Sequence, residues 1–140
     1  MSRIVIALAV ACFSASLHAQ APSQSPPVSL KGHDPVSYFT EGRPVKGSAA
    51  IAHDFDDARY LFSSPKNRER FAATPERYTP QFTGLCTTGL SMGVKAEADP
   101  SVFRIVDGKL YVFSSPAARE KADKDPALLA RAHRNWPAPR

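Results

Sequence analysis

Tyr60-Leu61-Phe62-Ser63-Ser64-Pro65 and Tyr111-Val112-Phe113-Ser114-Ser115-Pro116 repeat one pattern, an apolar strand end running straight into a helix start. Laying one copy on the other also pairs Asp56 with Asp107, Arg68-Glu69 with Arg119-Glu120, and Pro75 with Pro126. In each copy the second serine can accept the free N–H groups of a first helical turn. The proline that follows has no N–H to leave unpaired. The pattern predicts helices from Pro65 to Ala73 and from Pro116 to Lys124, each halted before the next proline. Upstream of each lies a hairpin. The first is Ile51 to Phe55, an Asp56-Asp57 turn, and Arg59 to Phe62; the second is Val102 to Val106, Asp107-Gly108, and Leu110 to Phe113.

The expected fold is therefore α+β: a small single domain of two β-hairpin–helix repeats forming an antiparallel sheet packed with helices, plus a C-terminal helix. Phe55, Tyr60, Phe62 and Phe71 from one copy, with Phe103, Ile105, Tyr111 and Phe113 from the other, are expected to supply most of the core. In the last helix, capped by Asp125, Leu128, Ala132 and Trp136 fall four apart and share a face, so Trp136 should close that core. With 140 residues, 43% hydrophobic and 22% charged, the chain suits one globular domain and not a disordered tail.

The first residues differ in kind. Arg3, the apolar run Ile4 to Leu17 and the sequence Leu17-His18-Ala19 read as a signal peptide over 1–19, too short for a membrane anchor. The expected location is periplasmic or secreted. Cys12, after Ala9-Val10-Ala11, raises a lipoprotein alternative, but the apolar run before it is short and lacks the usual leucine. Residues 20–29, Gln20 to Ser29, read as a Pro/Ser/Gln tether, leaving 30–140 as the folded domain. The net charge of +5 comes from basic residues scattered among acids. That distribution predicts solvated surface and not nucleic-acid binding.

Near the start of the domain, Gly32-His33-Asp34-Pro35 reads as a turn into a short helix, with Asp34 accepting first-turn N–H groups and Gly42 ending it. Between the two copies runs Tyr78 to Gly93, YTPQFTGLCTTGLSMG, which carries Cys86. Once 1–19 is removed Cys86 is the remaining thiol, so no internal disulfide can form, and it must be sheltered, metal-bound or reactive. Gly84 and Gly89 flank it, and a loop of that kind can present backbone N–H groups to a thiolate.

For a metal, the candidate partners of Cys86 are His33, His53, Met92 and His133. Two sulfurs with one imidazole would suit Cu(I), and a cysteine with two histidines would suit zinc. Neither Cys-x-x-Cys nor His-x-x-x-His is present. His53 alternates in phase with Ile51 and Phe55, where a histidine more often serves the core. Met92 reads equally as a gap-filler, and His133 as a complement to its helix dipole. A Cys-His-Asp nucleophile would need His33-Asp34 or His53-Asp54 beside Cys86. With no Ser-His-Asp signature, phosphate loop or paired-carboxylate motif, no catalytic residue is assigned.

The runs GHDPVSYFTEGRPVKGS, YLFSSPKNRERFAATPERYTPQFTGLC, DGKLY and NWP together resemble the longer, exported YHS-domain proteins over nearly all of the chain after the tether. The resemblance implies one α+β domain in a family of soluble or periplasmic modules of unsettled function. Related short YHS domains occur in metal-handling proteins, with cysteine ligands in and just after the strand-to-helix junction. Ser63 and Asn67 stand at those positions here. The longer relatives commonly carry an aromatic residue where His33 stands and glycine where Thr83 stands. The expected function is a small exported binding module for a copper or zinc ion through Cys86, with His33, His53 and Met92 as the other ligands. The alternative is a metal-free protein-interaction or reactive-thiol module, with Cys86 structural or redox-active.

Overall fold

A computed structural model describes residues 24–137. The signal-peptide reading of 1–19, Cys12 and the start of the tether lie outside the described residues. The elements, in chain order, are α1 (Ser37–Thr40), β1 (Ser48–Phe55), β2 (Ala58–Phe62), α2 (Pro65–Ala73), α3 (Pro75–Tyr78), α4 (Thr87–Ser91), β3 (Asp99–Val106), β4 (Lys109–Phe113), α5 (Pro116–Lys124) and α6 (Leu128–Asn135). The fold is α+β, and both long repeat helices occupy the span their prolines predict. Their caps form as expected: Ser64 Oγ accepts from Asn67 N at 3.2 Å, and Ser115 Oγ from Ala118 N at 3.1 Å.

The two hairpins do not join into one sheet. Each stays a separate two-stranded antiparallel sheet, β1 with β2 and β3 with β4. The outer edges of β2 and β4 are already taken: Val28 bridges Arg59 in parallel, and Pro80 bridges Leu110 in the same way. An edge occupied by local backbone is closed to a second strand. The Val28 bridge also moves the start of the folded part into the stretch read as tether, because Arg59 N donates to Pro27 O at 2.9 Å.

The duplication reaches further back than the sequence suggests. Before α1, Leu30 and Lys31 sit in the left-handed region (φ 49° and 48°), as Phe82 and Thr83 do before α4 (φ 56° and 54°). Glycines end both turns, Gly32 at φ 81° and Gly84 at φ 83°. The next residues are held alike: Asp34 N donates to Val45 O at 2.8 Å and Cys86 N to Ala96 O at 2.9 Å. Both first strands break register at the same place, between Ser48 and Ala52 and between Asp99 and Phe103. Each unit is thus a left-handed turn, a one-turn helix, a bulged hairpin and a capped helix.

Two apolar clusters result. Val36, Tyr60, Phe62, Phe71 and Tyr78 form the first. The larger second cluster centres on Leu110 to Phe113 and Leu90, and includes Tyr38 from the first unit. Tyr38 crosses the seam: its ring meets Phe103 edge-on at 4.8 Å, and its hydroxyl donates to Pro100 O at 2.8 Å. Burial first, and then the nearby Asp99 charge, raise the ionisation of that hydroxyl well above the ordinary tyrosine range.

Two core assignments need correcting. Ile105 is 39% exposed. Arg104, its neighbour in β3, turns to α5 through an ion pair with Asp123 at 2.7 Å, so Ile105 points to the opposite face, beyond the part that Tyr38 covers at Phe103. Trp136 is half-buried at the rim, 5.8 Å from the Phe82 ring, and does not close the core from within.

The first unit is tied together by one carboxylate. Asp34 is fully buried and accepts four hydrogen bonds: Val36 N at 2.9 Å on Oδ1, and Ser63 N at 2.9 Å, Ser63 Oγ at 2.7 Å and Asn67 Nδ2 at 2.8 Å on Oδ2. It locks the left-handed turn to the β2–α2 junction. Removing it strands several buried donors, each worth about 1–3 kcal/mol. Asp34→Ala is expected to lower the unfolding free energy by roughly 3–5 kcal/mol in chemical denaturation, a size associated with breaking a buried charged network.

Candidate thiol pocket

Cys86 stands in the second unit where Asp34 stands in the first. Its Sγ accepts from Ser114 N at 3.2 Å and from Gly89 N at 3.5 Å, and its thiol reaches Ser114 Oγ at 3.4 Å. Ser114 is the repeat partner of Ser63, so the same junction that grips a carboxylate in one half grips a sulfur in the other. The residue paired with Asn67 is Ala118, which offers no side-chain donor. Cys86 is 1% exposed and caps α4. Every partner named here belongs to the second unit, so the thiol lies within that unit and not between the copies.

Close backbone approach shapes this corner. A Cβ on Gly89 would come within 2.9 Å of Val94 O, and Val94 N donates to Gly89 O at 2.9 Å. Only a residue without a side chain lets the chain fold back so tightly while its own N–H points at the sulfur. Thr87 and Thr88 fasten α4 to its neighbours, donating to Val112 O at 3.1 Å and to Ala118 O at 2.7 Å.

Beside the sulfur is a cavity of about 290 Å³ lined by Cys86, Met92, Val94, Ala96, Ser114 and Lys121 among others. Met92, 64% exposed, forms part of its mouth. His33 and His53 do not line it. The His33 ring is occupied locally, with Nδ1 2.9 Å from Leu30 O. His53 packs against the Phe71 ring at 5.7 Å, in the first unit's core. Of the four candidate partners of Cys86, His33, His53, Met92 and His133, the fold brings only Met92 to the same cavity. Among the described residues, no three or more His, Cys, Asp or Glu side chains are grouped to hold a metal ion.

The sequence reading missed Ser114 as the contact of the thiol, Lys121 on the cavity wall and the likeness of Cys86 to Asp34. The available signal was the shared glycine of the two turns, Gly32 and Gly84, set one residue out of step with the YLFSSP alignment.

His133 takes up a different role. Its Nε2 lies 2.9 Å from the Tyr111 hydroxyl, and its ring meets Phe82 at 4.9 Å. Desolvation first, and the charge of Lys109 second, lower its pKa below the usual 6.5. The folded chain therefore binds this proton less readily than the unfolded chain. Stability from this group is full above the unfolded value and declines as pH falls through the folded value. In an NMR titration the His133 ring signals should turn over below pH 6.5, and His133→Gln should remove that component of the acid-side loss of stability.

No family model, curated protein or solved structure matches this chain, and the resemblance to the YHS-domain proteins rests on the motifs alone.

Proposed function

We propose that the protein is a small exported binding module that takes up Cu(I) through the Cys86 thiolate and the Met92 thioether. The observation that carries this reading is the shared cavity of those two side chains. Both are soft sulfur donors, the kind that selects Cu(I). Zinc is less well served, because His33 and His53 are engaged in the first unit and zinc takes a tetrahedral set of nitrogen and sulfur ligands. The strand-to-helix junction of the first unit, where short YHS domains carry ligand cysteines, is committed to Asp34 through Ser63 and Asn67. Metal uptake therefore belongs to the second unit. Export is supported by the pattern of residues 1–19. No helix among the described residues is long and apolar enough to cross a membrane.

A metal-free thiol module is the second reading, favoured by a separate observation. Two N–H groups already point at Sγ in the place where the sister unit holds a carboxylate. A sulfur so positioned can attack a small electrophile entering the cavity without a metal.

The two readings separate in one pair of measurements. Under anaerobic conditions, Cu(I) titrated against a competing chelator should bind one equivalent per chain. Cys86→Ser should abolish binding and Met92→Leu should weaken it by about tenfold or more, a difference of about 1.4 kcal/mol. Equal uptake by Cys86→Ser, or none by the native chain, overturns the copper reading. In that event rapid iodoacetamide labelling of Cys86 at neutral pH supports the thiol module, and protection until unfolding leaves a packing role.

A further inference from the structure

A second cavity, of about 300 Å³, runs on from the one of about 290 Å³ beside the thiol. The two share Thr88, Met92 and Lys121, so α4, α5 and the start of α6 frame one continuous groove. Each half alone is near the lower limit of a small-molecule pocket, and together they fall within its range.

The duplication explains why this groove is open. Ala117 and Ala118, on its wall, are the repeat partners of Lys66 and Asn67. In the first unit the Asn67 amide fills the corresponding space on its way to Asp34. Two methyl groups in place of a lysine and an asparagine leave room beside α5.

The groove is apolar along its walls and cationic at its rim. Gly89, Ala96 and Leu128 line it, and Met92 and Val94 stand at its side, 64% and 53% exposed. Large apolar side chains left this exposed next to an apolar hollow mark a contact surface. The charged residues on the lining are Lys121, Lys124 and Arg131 against the single carboxylate of Asp125. Arg131 is paired with Asp125, and Lys124 with Glu120. Lys121, which borders both halves, makes no ion pair among the described residues.

These features ask for one kind of ligand. An inorganic anion would meet the cations and leave Met92 and Val94 uncovered. An uncharged hydrocarbon would cover them and leave the excess positive charge unmatched. We propose that this groove binds a single-chain amphiphile with an anionic head, of the medium-chain fatty carboxylate class, with the alkyl body against Met92 and Val94 and the carboxylate at Lys121. The proposal goes beyond the copper reading and does not rest on it, because no bond to the Cys86 sulfur is involved.

Octanoate, kept below its micelle concentration, is titrated into the isotope-labelled protein and followed by backbone amide shifts. Saturable shifts at Gly89, Val94 and Lys121 are expected, and octanol, matched in length but uncharged, should bind about tenfold more weakly or worse. The double variant Lys121→Gln, Lys124→Gln should lose about tenfold in affinity, and Ala117→Phe, which fills the groove from α5, at least as much. All three positions are exposed, so unchanged circular dichroism spectra are expected. Cys86→Ser should bind octanoate as the native chain does, whether or not the native chain takes up copper, and this separates failure of one reading from failure of the other. No saturable shift below about 1 mM, equal binding of the alcohol, or native affinity in either variant overturns the proposal. The same shifts on raising the protein concentration alone overturn it in favour of a second copy of the chain.

Discussion

In each half of the molecule a buried acceptor, placed just after a left-handed turn, receives hydrogen bonds from the first residue beyond a strand. In the first unit the acceptor is the Asp34 carboxylate and in the second the Cys86 sulfur, and the residue beyond the strand is Ser63 or Ser114. The rest of the unit follows from that clasp. It holds the turn against the strand end, which aims the one-turn helix across the hairpin and leaves the serine-proline cap free to start the next helix. The turn itself is costly, since Leu30, Lys31, Phe82 and Thr83 all take left-handed conformations that side chains disfavour by about 1–2 kcal/mol each. Thr83, β-branched, is the most strained of these. Such a turn persists only where surrounding contacts over-determine it.

The clasps differ in strength, and the difference locates the chemistry. A carboxylate accepting four hydrogen bonds is fully used. Charge-assisted bonds of that kind are the strong ones. The sulfur accepts longer, weaker contacts, and Ala118 replaces the amide that completes the first clasp. What the second unit loses in cohesion it recovers from its larger apolar cluster, with α6 packed on α4 through Asn135 Nδ2 and Leu90 O at 2.8 Å. One copy of the duplicated unit is thereby spent on holding the fold, and the other keeps a chemically versatile atom beside a cavity.

Tyr38 links the copies. It is rooted in the first unit and buried in the second, and its hydroxyl is satisfied by a backbone carbonyl across the seam. With the two sheets unjoined, this side chain and the paired left-handed turns carry much of the contact between units. The same seam leaves a hollow of about 440 Å³ beside Asp56 and Asp57, because hairpins that do not share hydrogen bonds cannot close upon each other completely.

Local pattern in the sequence determined the helices at Pro65 and Pro116, the hairpins before them and their repetition, because serine-proline caps and turn residues act over a few neighbours and need no distant partner. It also marked Cys86 as the residue to explain. Tertiary structure alone decided that the hairpins stay apart, that Ile105 faces out, that His33 and His53 are spent elsewhere, and that Cys86 is the counterpart of Asp34. Each of those outcomes depends on which surfaces meet across tens of residues. A carboxylate and a thiol can fill one geometric role while sharing no sequence signature, since a hydrogen-bond donor responds to where an acceptor lies and not to its identity along the chain.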